Sequence, residues 1–204
     1  EDKVWHRELD RVAKEIGWFE HPHRTQPGNA KAELCTGIGF AISRWGGGGG
    51  PSCEVEVAIE RDGSVTSSVG SQDLGTGVRT YVAAIPAEEF GLPLSAVVAR
   101  IGSTRLGNAN GSGGSVTTAS LAPAVKDAAY NARRAFAEVL APLLGCAAAE
   151  VQFADGGVQT SAPGGKRLTW KQACAALPEA GLRAKGVWAA HLQGNGIHGA
   201  QAAK

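Results

Sequence analysis

Between residues 53 and 69 the chain alternates so regularly that one local structure suits it above all others. Cys53, Val55, Val57 and Ile59 alternate with Glu54, Glu56, Ala58 and Glu60. After Asp62-Gly63, Val65, Ser67 and Val69 alternate with Ser64, Thr66 and Ser68. A period of two puts one set on each face of a strand. The pattern predicts a β-hairpin with one buried face, closed by a type I′ turn at Asp62-Gly63. Glu54, Glu56 and Glu60 then line the solvated face. Carboxylates spaced this way on one strand mark a wet face more often than a catalytic array.

The hairpin runs straight into Gly70-Ser71-Gln72-Asp73-Leu74-Gly75-Thr76-Gly77. Farther on comes Gly111-Ser112-Gly113-Gly114-Ser115-Val116-Thr117-Thr118-Ala119-Ser120. Each stretch closes an extended segment and opens a helix. That geometry gathers backbone N–H groups and hydroxyls at a helix N-terminus, where an anion binds well. Gly75 and Gly77 let the backbone approach a ligand without a Cβ. Thr76 and Thr80 add hydroxyls beside the first helix. Ser112, Ser115, Thr117 and Thr118 cluster around Gly113-Gly114 in the second stretch. Two such loops suit a large ligand carrying phosphate or other dispersed polar groups. Two ordinary loops capped by their own hydroxyls fit the same residues equally well. Neither stretch has the Walker pattern or the dinucleotide-binding glycine spacing, and no nucleophile elbow is present.

Around these landmarks the sequence reads as follows. Residues 3–16 predict a helix with Val4, Leu9, Val12 and Ile16 on one stripe, stopped by Gly17. Residues 20–32 predict a loop, and Leu34 to Ile42 a buried strand with Gly37 and Gly39 packed closely. Five glycines and Pro51 follow Trp45 and form a connection or a tight backbone crossing. A helix is predicted over 79–90, kinked or shortened by Pro86. A strand over 96–101 precedes the longest helix, 120–144, with Ser120 as its N-cap and Pro123 in its first turn. A hairpin around Asp155-Gly156-Gly157, a short helix capped by Thr169 and a last strand over 182–191 complete the order. This order predicts an α+β fold, a layered α/β domain over a mixed sheet with β-hairpins and two helices opening from glycine-rich loops. The expected division is 1–33, a helix and loop leading in, and 34–204, the binding domain.

Length and charge narrow the function. A chain of 204 residues can bury a core without staples. With 20 basic and 19 acidic residues the net charge is +1, which supports neither a nucleic-acid groove nor a membrane surface. No apolar run is long enough for a membrane span. Cys35, Cys53, Cys146 and Cys174 lack a C-x-x-C spacing and read as buried thiols. His21 and His23 flank Pro22 and read as a surface loop rather than a metal pair. The stretch from Gly194 to Lys204 reads as the approach to another strand, so the expectation is a segment of a longer polypeptide.

Several motifs together resemble the molybdenum-binding large subunit of the xanthine dehydrogenase and aldehyde oxidase family, nearest its bacterial aldehyde-oxidising branch. They are Arg44-Trp45 with the glycines to Pro51, Asp62-Gly63-Ser64-Val65, the two glycine-rich stretches, Arg79-Thr80, and the run from Ala87 to Leu94. Weaker similarity reaches from Ile16-Gly17-Trp18 to His198-Gly199-Ala200-Gln201. The resemblance implies an inner segment of that subunit, which oxidises aldehydes or N-heterocycles with oxygen from water. It implies a molybdenum–molybdopterin dinucleotide, of the cytosine form. Its cofactor-binding set would be Gln72, Asp73, Gly75, Thr76, Gly77 and Thr80 in the first loop, beside the pterin and metal. In the second loop it would be Ser112, Gly113, Gly114, Ser115, Val116 and Thr117, around the phosphates. Thr76 stands where many relatives carry glutamine.

The implied partners are the remaining segments of the same subunit and iron–sulfur and flavin subunits or domains, in a bacterial cytoplasm or periplasm. The family's catalytic glutamate motif is not present, since Glu179-Ala180-Gly181 does not match it. Neither are its upstream glycine-rich motif and arginine segment. The resemblance therefore assigns this segment no catalytic residue and no metal ligand, and it implies an isolated chain without activity. A structural docking domain with empty loops, or a binder of another phosphorylated ligand, would fit the residues alone.

Overall fold

The computed structural model describes residues 2–20, 36–42, 48–50, 53–162 and 164–188. The expected loop with His21 and His23, Leu34 and Cys35, the first glycines after Trp45, and everything beyond Trp188 lie outside them. The chain divides into two compact units, Glu1–Trp45 and Gly46–Lys204.

In the first unit, helix α1 spans Asp2–Glu15. The Trp18 amide folds back to the Ala13 carbonyl at 2.9 Å and closes the helix end. Trp18 meets Phe40 edge-on, with ring centroids 5.1 Å apart. The strand expected over 34–42 is not formed at residues 36–42, which pair with nothing in a ladder and are mostly exposed. A Cβ added at Gly39 would meet nothing, so the close packing that its glycines suggested does not occur.

The second unit carries a four-stranded sheet and a three-stranded sheet. Strand β1 is Cys53–Ile59 and β2 is Val65–Val69, antiparallel as the alternation demands. The turn differs from the expectation. Gly63 has φ 96°, its amide bonds the Glu60 carbonyl at 3.0 Å, and Asp62 keeps a negative φ. A type I′ turn needs positive φ at both central residues. The longer connection allows a type I turn followed by a left-handed glycine instead. Asp62 Oδ1 steadies it by accepting the Ser64 amide at 2.9 Å. The I′ geometry appears in the other hairpin, where Asp155 and Gly156 have φ 50° and 67°.

Helix α2, Val78–Glu89, follows, and strand β3, Val97–Ile101, pairs parallel with β2. Pro86 lies inside α2 without shortening it. Helix α3 spans Thr117–Leu144 and so begins before Ser120. Ser120 is not its N-cap, because that place belongs to Val116, and Pro123 consequently sits beyond the first turn. Strands β4 (Val151–Ala154), β5 (Gly157–Thr160) and β6 (Arg167–Thr169) form the small antiparallel sheet. Thr169 caps helix α4, Trp170–Cys174, as its sequence predicts, and the structure adds Gln172, whose side chain accepts the Thr169 amide. Strand β7, Leu182–Trp188, returns antiparallel to β1. The large sheet has the order β3-β2-β1-β7 and is mixed, which makes the fold α+β.

The inner face of β1 and β2 packs on the helices. Val55, Val57, Ile59, Val65 and Val69 join Val78, Val82, Leu121, Val125, Phe136 and Leu140 in one core. The outer face is polar. Glu54 pairs with Lys185 and Glu60 with Arg183, each at 2.6 Å, so the glutamates do line a solvated face. Phe90, Phe136, Phe153 and Trp170 stack around one another and join the small sheet to the helices. Cys53 and Cys174 are buried thiols and Cys146 is half-buried. Burial pushes Cys174 up to about 12.

Candidate functional site

Two contacts fix how the glycine-rich loops lie. Tyr81, one turn into α2, stands beside Thr118 in the first turn of α3. Eight residues on in both helices, Glu89 of α2 makes an ion pair with Lys126 of α3. The helices therefore run side by side in the same direction, with their N-termini together. The two loops that open them are neighbours. Tyr81 faces both, since the Asp73 carboxylate is near it as well. Its hydroxyl is buried and makes no hydrogen bond of good geometry. Burial pushes the phenol up, and the Thr118 hydroxyl opposes that shift.

The two helix starts differ electrostatically. In the first, Gly77 holds a left-handed conformation and offers no side-chain cap. The Asp73 carboxylate fills that role from within the loop. Oδ1 accepts the Gly75 amide at 2.9 Å and Oδ2 the Arg79 amide at 3.0 Å. The Arg79 amide, with those of Gly75, Thr76 and Val78, holds the Asp73 carboxyl below its usual range. The positive end of α2 is thus already met by a charge of this chain. Gly75, Thr76 and Thr80 are exposed, and Gln72 is half-buried.

In the second, Val116 occupies the N-cap and no side chain caps the helix. Gly113, Gly114 and Ser115 are exposed, whereas Thr117 is buried at 9% exposure. The Thr117 hydroxyl donates to Ser112 Oγ at 2.9 Å. Ser115 has φ 59°, a left-handed conformation uncommon outside glycine. A Cβ added at Gly111 or Gly113 would meet nothing within 4 Å. Gly111 and Gly113 therefore border open space just before the start of α3, with the hydroxyls of Ser112 and Ser115 in the same loop. That donor set fits a phosphate group.

Every residue expected at the site falls in one of these two adjacent loops or in the helix turns that follow them. Sequence reasoning missed Tyr81 and Asn110. Asn110 is 7% exposed and accepts from Cys53 Sγ at 3.1 Å. Its only signal was a polar residue placed directly before the second stretch. A separate cavity of about 430 Å³ lies farther along α3, lined by Tyr130, Arg133, Arg134 and Phe153 among others. Arg133 there is committed to Glu89 at 2.7 Å. Among the described residues no cluster of His, Cys, Asp and Glu could hold a metal ion, and no helix is long and apolar enough to cross a membrane.

With this geometry established, comparison with known proteins gives a consistent result. The family described as molybdopterin cofactor-binding domain matches residues 11–203. A subunit of nicotinate dehydrogenase from Pseudomonas putida is 36% identical over 108 residues, 52% of this chain and 9% of that protein. Among solved structures, quinoline 2-oxidoreductase from Pseudomonas putida 86 matches with a TM-score of 0.61 and 24% identity, over 68% of this chain and 19% of that one. A Cu,Mo-CO dehydrogenase in its carbon monoxide reduced state matches with a TM-score of 0.58 and 24% identity, over 70% of this chain and 20% of that one. At that identity the structural matches speak for the fold. The chain spans less than a tenth of the curated relative and about a fifth of these structures.

Proposed function

Since this chain belongs to the molybdopterin cofactor-binding domain family, we propose that its two adjacent loops grip different ends of one molybdopterin dinucleotide. The second loop, Gly111–Thr117, takes the phosphates. The first, from Gln72 to Gly77 with Thr80, lies beside the pterin and metal end. The observation that carries this reading is the unequal charge at the two parallel helix starts. Asp73 already neutralises α2 and would repel a phosphate there. The start of α3 has donors, open space and no cap of its own.

When bound, the cofactor supplies the redox centre for hydroxylating a carbon with oxygen from water. The chain's own residues bind and orient it. Ser112, Gly113, Gly114, Ser115 and Val116 present donors, and Thr117 holds Ser112 in place. The parent protein is a molybdenum hydroxylase. The names of the nicotinate and quinoline enzymes favour an N-heterocycle over an aldehyde as its substrate. The dinucleotide is of the cytosine form. The remaining segments of the same subunit supply the catalytic base, and iron–sulfur and flavin partners carry the electrons away, in a bacterial cytoplasm or periplasm.

The test uses the complete subunit. Its nucleotide is released by acid and identified, and amide hydrogen exchange is compared before and after cofactor loading. A released cytidine nucleotide, with exchange slowed at residues 111–118, is the expected result. A protein with no pterin, or with an unrelated nucleotide, would overturn the reading.

A further inference from the structure

The second loop is exposed in its middle and tied at both ends by buried side chains. Asn110, immediately before it, uses both ends of its amide. Oδ1 accepts from Cys53 Sγ at 3.1 Å, and Nδ2 donates to the Gly111 carbonyl at 3.2 Å. Ser120, fully buried, does the same for the other end. Its hydroxyl donates to the Val116 carbonyl at 2.8 Å and accepts the Gly50 amide at 2.5 Å. Gly50 and Cys53 belong to one short segment, the approach to β1. That segment also lies flush against Asn110, since a Cβ at Gly50 would stand 3.1 Å from Asn110 Nδ2.

Two buried polar side chains thus fasten the first and last residues of one exposed loop to the Cys53 thiol and the Gly50 amide, three residues apart in the chain. A buried amide or hydroxyl is costly unless it is bonded, and these are bonded in a way that fixes a geometry. Between the clamps stand Gly113, Gly114 and Ser115, all exposed, and a Cβ at Gly113 would meet nothing. Loops held in their binding conformation lose less entropy when a ligand arrives.

We infer that Asn110 and Ser120 are positioning residues that clamp the two ends of the Gly111–Val116 loop to the segment entering β1, and so set the loop for its anionic ligand in advance. This inference rests on the assignment of the loop to the cofactor's phosphates. It also gives the glycine at position 50 a task, because a Cβ there would crowd the Asn110 amide at 3.1 Å.

The experiment uses the complete subunit, prepared free of cofactor and also loaded. Variants Asn110→Ala and Ser120→Ala are compared with Cys53→Ala, which removes one contact of Asn110 but leaves its bond to Gly111. Amide exchange is followed at residues 111–118 and, as an internal reference, at 125–140. In cofactor-free protein the first two variants should speed loop exchange about tenfold, the effect of losing one or two buried hydrogen bonds, without moving the reference. Once loaded, they should hold about a third or less of the wild-type nucleotide, and Cys53→Ala, which unties Asn110 from the segment entering β1, should move both readouts in the same direction. Unchanged loop exchange in both, or wild-type loop exchange in Cys53→Ala, would overturn the inference. Should Asn110→Ala fail to accumulate, Ser120→Ala decides on the same terms. The exchange measurement needs no cofactor, so a subunit that proved to carry no pterin would defeat the functional reading while this test still stood.

Discussion

Asp73 Oδ2 accepts the Arg79 amide at 3.0 Å, and by that bond the first loop closes its own helix. The same carboxylate reaches back to the Gly75 amide at 2.9 Å. An aspartate within a glycine-rich binding loop is therefore, in this chain, the occupant of the helix's positive end.

Replacing Asp73 by asparagine keeps one acceptor and loses the charge, and alanine loses both. Both should destabilise the fold, alanine more. The Asp73 carboxyl titrates lower in the folded protein than in the unfolded chain. Its contribution is therefore complete above the unfolded value of about 3.9 and is lost as pH falls through the folded value. Urea midpoints of Asp73→Asn and wild type should differ at neutral pH and converge in acid below that window. A gap that is unchanged at low pH would mean the carboxylate is not the cap.

Gly186 of β7 lies directly beneath α3. A Cβ there would stand 2.1 Å from the Ala128 nitrogen and 2.4 Å from the Ala124 oxygen. Both are backbone atoms of one helix and cannot turn aside. Gly186→Ala should cost at least about 2 kcal/mol, at the upper end of overpacking effects or beyond. Asp127 and Asn131 reach the same strand edge, accepting the Val187 amide and donating to the Lys185 carbonyl, both at 3.0 Å. Denaturant unfolding of the variant measures the loss. A change below about 0.5 kcal/mol, the scale of an ordinary surface substitution, would contradict the close crossing.

Glu89, the last residue of α2, ties that helix to the body of α3. Its side chain is 8% exposed, against 35% for Lys126 and 37% for Arg133. Removing the carboxylate leaves two cations that can still reach water, so the penalty falls short of a fully buried break. Glu89→Ala should cost about 1–3 kcal/mol, and Lys126→Ala alone about 1 or less. Thermal or denaturant unfolding distinguishes the two. Equal losses from both variants would show that Glu89 contributes no more than its pair with Lys126 and is not a hub.

Much of this fold was legible because its signals are local. The 53–69 hairpin follows from strict alternation, and Thr169 announces a capped helix by residue type. What sequence could not give is how the elements meet. The register of α2 beside α3 depends on Tyr81 facing Thr118 and Glu89 facing Lys126, partners thirty-seven residues apart in both cases. Ser120 looked like a cap because its residue type is a good one, but the helix starts earlier and its hydroxyl serves Gly50 instead. Residues 36–42 looked like a strand from composition, yet a strand exists only where another chain edge pairs with it. Asp73 carried no sign of whether it would face a ligand or its own helix, since the same residue at the same place can do either.

The central claim is that residues of the second loop hold the phosphates of the cofactor at a distance from the chemistry. It is tested most directly by Ser115→Ala combined with Thr117→Ala in the complete subunit, with molybdenum content and turnover per molybdenum measured on the same preparation. Ser115 is placed to donate to a phosphate and Thr117 holds Ser112 for the same role; a hydrogen bond to a charged group contributes about 1.5–3 kcal/mol, so molybdenum content should fall about tenfold or more while turnover per bound molybdenum stays within about twofold. Normal molybdenum content with collapsed turnover would place these residues at the reacting centre and contradict the account.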